Sequence, residues 1–344
     1  MRKSFLILSM VTLANLGITF GQTAHSSCRI ANKIHLDGDG GYDYLTMDDA
    51  TSRLYISHGT VVQVLDVNDQ KVMGTIPDTK GVHGIALAIN FNKGYTSNGK
   101  DTSVTIFDLK TLKMITKLKL TGNNPDAILY DPFSQKVFTF NGKSNNSTVI
   151  DAKTDKIIGT IDLPGKPEFS VTDRKGKIYV NLEDKNEVCR INPMTQKVEN
   201  TWSVSPGEEP TGLAIDLKAN RLISVCHNKL MIVLDAANGK VIAQLPIGEK
   251  VDGVSYDPDL KRIYCSNGEG TMTVVQEDAK GAYEVIENFP TQKGAKTITL
   301  NSKTHRIYLP VAEYNAAPAA TSDNPHPKSA VKANTFTILE IEAN

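Results

Sequence analysis

Ionisable and polar side chains recur in this sequence about every 40 residues, in two sets that could build a binding site. The first set consists of Asp43, His83, Asp126, Glu168, Thr211, Asp252 and Lys296. The second set lies further along each repeat, at His58, Asn98, Asn141, Leu182, Cys226 with His227, Asn267 and Val311. Imidazole beside carboxylates can bind a divalent metal, accept a proton or hydrogen-bond a polar ligand.

Motifs for several specific chemistries are missing from the sequence. There is no Gly-x-Ser-x-Gly elbow, no glycine-rich phosphate loop before a helix, and no His-x-x-x-His or Cys-x-x-Cys pair. The glycine-rich segment Gly38–Gly41 looks like a phosphate loop, but no helix pattern follows it, so we interpret it as a turn. These absences favour a protein that binds rather than catalyses.

A repeat runs through most of the chain and decides the fold class. Its marker is a large residue of the second strand, found at Tyr55, Tyr95, Phe138, Tyr179, Ile223, Tyr264 and Tyr308. Successive markers are 40, 43, 41, 44, 41 and 44 residues apart. Within a unit, apolar and polar residues alternate with period two, and Asp, Pro, Asn and Gly occupy the turns. Seven such units predict an all-β fold, a seven-bladed β-propeller of four-stranded antiparallel blades.

The ends of the repeat region predict how the propeller closes. The last unit ends in a third strand, Phe336–Ile341, and lacks a fourth. The segment Ile30–Gly38 precedes the first unit and matches fourth strands such as Val241–Gly248. We therefore expect the N-terminal segment to supply the outer strand of the last blade, which removes an open sheet edge.

Short sequence motifs in the repeat resemble those of a known family. They are Tyr95-Thr96-Ser97-Asn98, Tyr264-Cys265-Ser266-Asn267 and Asp151-Ala152-Lys153-Thr154-Asp155-Lys156-Ile157. With these motifs the chain resembles the YVTN/YncE-like family of repeat β-propellers, from about Ile30 to the C-terminus. The resemblance implies the fold, and it does not fix an activity, because one fold hosts many functions.

The two sets of polar residues are expected to meet at one face. In a propeller blade the inner strand starts at the face where the second strand ends, so both sets border the same channel mouth. The predicted ligand-binding residues of this mouth are Asp43, His58, His83, Asn98, Asp126, Asn141, Glu168, His227, Asp252, Asn267 and Lys296. The asparagines also fit a structural role, because asparagine caps turns.

A metal site is a further hypothesis for the mouth. His58, His83 and His227 break the repeat, and with Asp43 or Asp126 they could gather a divalent metal ion. In the fifth unit, a bulge would decide whether Cys226 or His227 takes the strand-end position. No other cofactor is indicated.

The N-terminal segment predicts export. Residues 1–21 have the features of a cleaved signal peptide, because Arg2 and Lys3 precede an apolar stretch, Phe5–Leu16, that is too short to span a bilayer. No second apolar run of membrane length follows, so we expect a periplasmic or extracellular protein without a membrane span. Residues 28–344 are predicted to form one propeller domain, a monomer, with a loop insertion at 314–334 in the last blade.

Charge and cysteine content limit the possible partners and crosslinks. Basic and acidic residues number 38 each, so no net field attracts nucleic acid or an anionic membrane. The four cysteines are far apart and follow no disulfide framework, and we expect most of them to be free, buried thiols.

Three functions remain open from the sequence. The leading hypothesis is an exported, non-catalytic propeller that binds a small polar ligand, a peptide or a protein at the channel mouth. The alternative is a metal-dependent hydrolase or lactonase that activates water at the same mouth. The second alternative is binding of single-stranded nucleic acid, which some YncE-like relatives suggest; the neutral charge and the aromatic content of 6% disfavour it.

Overall fold

The structure is a computed structural model that describes residues 26–318, 327 and 329–344. The signal peptide predicted at residues 1–21 lies outside the described residues. The insertion predicted at 314–334 is described only in part. No helix of the described residues is long and apolar enough to cross a membrane.

The described chain forms 28 strands in seven four-stranded antiparallel sheets, each built from consecutive strands except at the closure. Blade 1 contains β2 (Tyr42–Asp48), β3 (Arg53–His58), β4 (Val61–Asp66) and β5 (Lys71–Ile76). Blade 2 contains β6 (Val82–Ala88), β7 (Lys93–Asn98), β8 (Ser103–Asp108) and β9 (Met114–Lys119). Blade 3 contains β10 (Pro125–Asp131), β11 (Lys136–Asn141), β12 (Asn146–Asp151) and β13 (Lys156–Asp162).

The remaining blades follow the same order. Blade 4 contains β14 (Pro167–Thr172), β15 (Ile178–Leu182), β16 (Glu187–Asn192) and β17 (Lys197–Ser203). Blade 5 contains β18 (Pro210–Asp216), β19 (Arg221–Cys226), β20 (Leu230–Asp235) and β21 (Val241–Pro246). Blade 6 contains β22 (Val251–Asp257), β23 (Arg262–Asn267), β24 (Thr271–Glu277) and β25 (Tyr283–Pro290). Blade 7 contains β26 (Thr299–Asn301), β27 (Arg306–Val311), β28 (Thr337–Ala343) and β1 (Cys28–His35).

The inner strands contact their neighbours all the way round, from β2 through β6, β10, β14, β18 and β22 to β26 and back to β2. The predicted seven-bladed propeller is therefore confirmed. In blade 7 the outer position belongs to β1, which pairs antiparallel with β28 from Cys28 opposite Ala343 to His35 opposite Thr337. This is the predicted closure by the N-terminal strand.

The core lies between adjacent blades. The seven marker residues of the second strands are all buried, with exposed fractions of at most 2%. In one interface, Tyr55 and Val64 of blade 1 pack with Val82, Ile85 and Phe107 of blade 2. Each blade thus buries its apolar faces against its two neighbours, which explains why the repeat must close on itself.

Aspartates that recur in the repeat hold turns. The Oδ1 atom of Asp108 accepts hydrogen bonds from the backbone N–H groups of Lys110 and Thr111, at 2.9 and 2.7 Å. Asp216 does the same for Lys218 and Ala219 on the face opposite the mouth. These acids have the structural role expected from their regular spacing.

The four cysteines are free and buried, as expected from their irregular spacing. Burial raises the pKa of every thiol, to about 11 for Cys28 and about 12 for Cys189 and Cys226. The thiols are therefore poor nucleophiles and poor metal ligands in the folded protein.

Candidate functional site

The pairing of the first two strands in each blade creates the channel mouth. Tyr42 pairs with His58 in blade 1, and Val82 pairs with Asn98 in blade 2. Directly after this first pair, the register shifts in blades 1 to 6. The residue next to the pair is freed from the regular ladder. It is a predicted ligand-binding residue in every one of these blades except blade 5, where it is Thr211.

Hydroxyl and amide side chains tie the backbone of these residues to the neighbouring blade. The Ser266 hydroxyl donates to the Lys296 carbonyl at 2.6 Å, and the Thr297 hydroxyl donates to the Asp43 carbonyl at 2.6 Å. The Ser97 hydroxyl likewise donates to the Asp126 carbonyl. Bonds that cross from blade to blade fix where each site residue begins, so the mouth is built on rigid backbone.

Six charged residues form what we call the mouth ring: Asp43, His83, Asp126, Glu168, Asp252 and Lys296. His83 Nδ1 lies 2.6 Å from Asp43 Oδ2 and 3.6 Å from Asp126 Oδ1. Lys296 forms an ion pair with Asp252. The side chains of these six residues are 12–43% exposed, so the charges are partly withdrawn from water but can still be reached.

Lys166 and Glu183 add two charges to those of the mouth ring. Lys166 Nζ lies 2.8 Å from Glu168 Oε1 and also pairs with Glu183. Thr211, at the blade 5 position, is uncharged, and its hydroxyl donates to the Val251 carbonyl at 3.1 Å. The mouth therefore contains five carboxyl groups, with His83, Lys166 and Lys296 as the cationic partners.

Tyr44 forms the floor of the mouth ring. It is only 9% exposed, and its ring packs on Phe169 with the ring centroids 5.1 Å apart. Its hydroxyl has no hydrogen-bond partner among the residues that the structure describes. Burial and then the charges of Asp126, Asp252, Asp43 and Glu168 raise its pKa. The charges of four mouth-ring carboxyls therefore act on this one phenol.

The sequence contains a signal for this floor in the residues that follow the mouth-ring positions. Tyr44 and Phe169 each directly follow a mouth-ring position. In the other five blades that place is taken by a small residue: Gly84, Ala127, Gly212, Gly253 and Thr297. The rings of Tyr44 and Phe169, from blades 1 and 4, therefore fill the channel directly beneath the mouth ring.

Burial, and then the neighbouring carboxyl groups, shift the pKa values of the mouth-ring acids upwards. Burial raises the pKa of Asp126 to about 6, although the charge of His83 opposes the shift. Burial and then the charge of Asp126 raise the pKa of Glu168 to about 8. Burial also raises the pKa of Asp252, against the opposing charge of Lys296. The ring therefore holds carboxyl groups whose ionised forms lack sufficient positive charge around them.

The two cations of the mouth ring are held in their charged forms. Burial alone would lower the pKa of His83, but the hydrogen bond to Asp43 and the charges of Asp126 and Asp43 outweigh it and raise the value to about 9. The pKa of Lys296 is raised in the same way, because Asp252 and Asp43 outweigh the effect of burial. Without a ligand, His83 is an imidazolium ion near neutral pH, and a metal ion that binds at Nδ1 must displace its proton.

The structure does not bring the three predicted histidines together. The His58 side chain is buried, its Nδ1 lies 3.0 Å from Gln63 Oε1, and its ring lies 4.2 Å from that of Phe336. Burial lowers its pKa, so it is neutral and acts in the closure between blades 7 and 1.

His227 also lies apart from His83. Cys226 pairs with Pro210 at the end of β19, so His227 falls in the following turn. There its Nδ1 lies 3.2 Å from Glu209 Oε2, and its side chain is 40% exposed. Among the described residues, the group with metal-ligand spacing is Asp43, His83 and Asp126, whose ligand atoms all lie within 4.8 Å of one another.

The predicted asparagines lie inside the blades rather than in the mouth. Asn98 and Asn141 are fully buried. Asn98 Nδ2 donates to Ser103 and Thr105 at 3.1 and 3.0 Å, and Asn141 makes the corresponding bonds in blade 3. Asn267 Nδ2 donates to two threonines of β24. These amides hold the second and third strands together, which is the structural role, and they are not available to a ligand.

A separate groove of about 450 Å³ lies between blades 7 and 1, towards the face opposite the mouth. Its most buried acid is Glu340, whose carboxylate bonds to Asn32, Arg306 and Tyr308. Because these partners satisfy the carboxylate, the groove offers no comparable unpaired charge.

Comparison with known proteins identifies the fold. No protein-family model matches the chain, and a search of curated proteins gives no match. A chain of hydrazine synthase from Kuenenia stuttgartiensis is 17% identical, with a TM-score of 0.71, over 87% of this chain and 98% of that chain. U3-55K is 6% identical with a TM-score of 0.74, over 91% and 98%. The WD40 repeats of RRP9 are 7% identical with a TM-score of 0.72, over 92% and 97%. This chain therefore shares the β-propeller fold of WD40-repeat proteins.

Proposed function

We propose that this protein is a non-catalytic binding propeller that holds a small, positively charged ligand at its mouth ring. The observation that carries the proposal is the surplus of carboxyl groups in the mouth ring, where Asp43, Asp126, Glu168 and Asp252 are all partly buried. Within the ring, only His83 and Lys296 balance them. A cation placed above Tyr44 would take the place of missing positive charge and would favour the ionised carboxylates.

The surroundings of the ring support a binding role. The backbone that carries the ring is tied from blade to blade, so the carboxyl groups are positioned before a ligand arrives, which lowers the entropy cost of binding. The same carboxyl groups would repel a phosphodiester backbone, which speaks against nucleic acid as the ligand. WD40-type neighbours in fold are consistent with a binding propeller.

The proposal is tested by comparing ligands of opposite charge on one protein. Isothermal titration calorimetry with spermidine and with zinc chloride is expected to detect binding of at least one cation, whereas succinate should not bind. Asp252→Asn is expected to weaken cation binding about tenfold or more, because it removes a ring charge beside Lys296. Its control is Asp259→Asn, an exposed acid in the same blade that lies in the turn at the opposite face.

Two outcomes would contradict the proposal. One is that succinate binds as tightly as the cations. The other is that Asp259→Asn changes the affinity as much as Asp252→Asn does.

We further propose that the chain is exported and belongs with the YVTN/YncE-like propellers. The apolar stretch after Arg2 and Lys3 supports export, and the Tyr-x-x-Asn motifs at strand ends support the family. N-terminal sequencing of the mature protein from a secretory host tests the first point, with cleavage expected near Gly21. An intact Met1 on all molecules would contradict export.

A further inference from the structure

The geometry of the mouth ring allows its cation to be named more closely. Asp43, His83 and Asp126 lie at the same position of three successive blades, with the imidazole between the two carboxyls. We infer that these three side chains form a binding site for one divalent transition-metal ion. This inference deepens the proposed function, since the metal ion would be the positive charge that the ring accepts.

The distances fit a single ion. Bonds from zinc to imidazole nitrogen and to carboxylate oxygen are about 2.0–2.2 Å, so the ligand atoms of a tetrahedral site are about 3.3–3.6 Å apart. His83 Nδ1 and Asp126 Oδ1, 3.6 Å apart, already have this spacing. The three ligand atoms here lie within 4.8 Å of one another. The His83–Asp43 contact of 2.6 Å must open by roughly 0.8 Å to admit the ion, which a side-chain rotation can supply.

A second observation points to an occupant above the ring floor. Tyr44 is nine-tenths buried, and its hydroxyl has no hydrogen-bond partner among the described residues. Within the same part of the chain, the carboxyl oxygens of Asp126 have no donor closer than the 3.6 Å contact with His83. Both groups are still reached by solvent, so an ion that enters the mouth can contact them. A metal ion with its bound water would satisfy both groups at once.

The ligand types select the metal class. One imidazole with two carboxylates suits zinc, manganese or cobalt, whereas calcium takes six to eight oxygen ligands and magnesium also prefers oxygen. With three protein ligands, the site leaves positions open for water or for a ligand atom.

Gly99 fixes the orientation of the imidazole. A Cβ atom on Gly99 would lie only 2.6 Å from His83 Nε2, so the absence of a side chain lets that edge of the ring lie against the backbone. Nδ1 is thereby directed at the carboxyl groups. Gly142 holds the corresponding place in blade 3, where an added Cβ would meet no atom closer than 3.6 Å.

The test uses the full mature chain without an affinity tag, stripped with chelator and dialysed. Titration calorimetry with zinc chloride is expected to give one site per chain, and calcium chloride is expected to bind at least tenfold more weakly. His83→Gln should lower zinc affinity at least tenfold, while His227→Gln, on the same face, should leave it unchanged. Gly99→Ala should also weaken zinc binding, and Gly142→Ala should not.

The results separate the two proposals. If zinc fails to bind to the unmodified protein, or calcium binds equally well, or His83→Gln and Gly99→Ala both retain full zinc affinity, the metal site is refuted. Circular dichroism shows whether each variant is folded. If His83→Gln does not fold, Gly99→Ala still tests the site, because it leaves every charged side chain in place. If spermidine binds and zinc does not, the metal site is overturned and the cation-binding function stands. Binding of neither would overturn both.

Discussion

Replacement of Ile34 by alanine measures how much the N-terminal strand contributes to closure of the propeller. Ile34 is 6% exposed and lies on β1 opposite Ile338 of β28. It belongs to an apolar cluster that also contains Leu45 and Leu54 of blade 1, so its side chain stabilises the contact between the last and first blades. Truncating a buried isoleucine to alanine costs about 2–5 kcal/mol, and we expect about 3 kcal/mol. That is roughly a hundredfold change in the ratio of folded to unfolded protein.

Urea unfolding followed by circular dichroism gives the free energy of unfolding of the wild type and of the variant. The control is Ile115→Ala, on the outer strand of blade 2, where the side chain is 48% exposed and the expected loss is at most about 0.5 kcal/mol. Hydrogen exchange should also quicken in β28 of Ile34→Ala, because its partner strand is loosened. If the two variants lose equal stability and β28 exchange is unchanged, β1 does not secure the ring as we argue.

Three further predictions concern other parts of the molecule. Gly239→Ala would bring a Cβ within 2.0 Å of Trp202 at a residue with φ of +76°. It should therefore lower the free energy of unfolding in urea by at least about 1–3 kcal/mol and shift the fluorescence of this single tryptophan. Gly41→Ala, where an added Cβ meets nothing within 4 Å, should do neither. Burial and the charge of Asp126 raise the folded-state pKa of Glu168 from 4.5 to about 8, so between these pH values the folded protein keeps a proton that the unfolded chain releases. The stability should therefore fall as the pH rises from 4.5 to about 8. Glu168→Gln should make this fall shallower when thermal unfolding is followed as a function of pH. A slope that stays the same in this variant would contradict the assignment. The four buried thiols should react with a thiol reagent only after denaturation, and fast modification of the native protein would contradict their burial.

The architecture could be predicted because every repeat obeys the same local physics. Residues such as Tyr95 and Tyr264 must be buried between blades, so their spacing counts the blades directly. The positions of Asp43 and His83 on one face followed from strand direction alone, since the start of an inner strand always meets the end of its neighbour.

The direction of individual side chains could not be predicted in the same way. His58 turns away from the mouth and packs with its ring tilted against that of Phe336, almost 300 residues later in the chain. Lys166 enters the mouth from a connection between blades and pairs with Glu168 and Glu183, a contact that no repeat pattern encodes. Long-range packing of this kind depends on the assembled ring, whereas the repeat describes one blade at a time.

The pairing of β1 with β28 also determines where anything joined to the described ends must emerge. The backbone N–H of Asn344 donates to the Ser27 carbonyl at 2.8 Å, so both ends leave the protein side by side, at the outer edge of blade 7. Strand β28 starts at the mouth, where Thr337 pairs with Val311, and ends at the opposite face with Ala343. The two ends therefore lie on the face of the propeller away from Asp43 and His83. A fusion partner, a surface tether or a short peptide bridge joining the two ends would therefore leave the channel mouth facing outward and unobstructed.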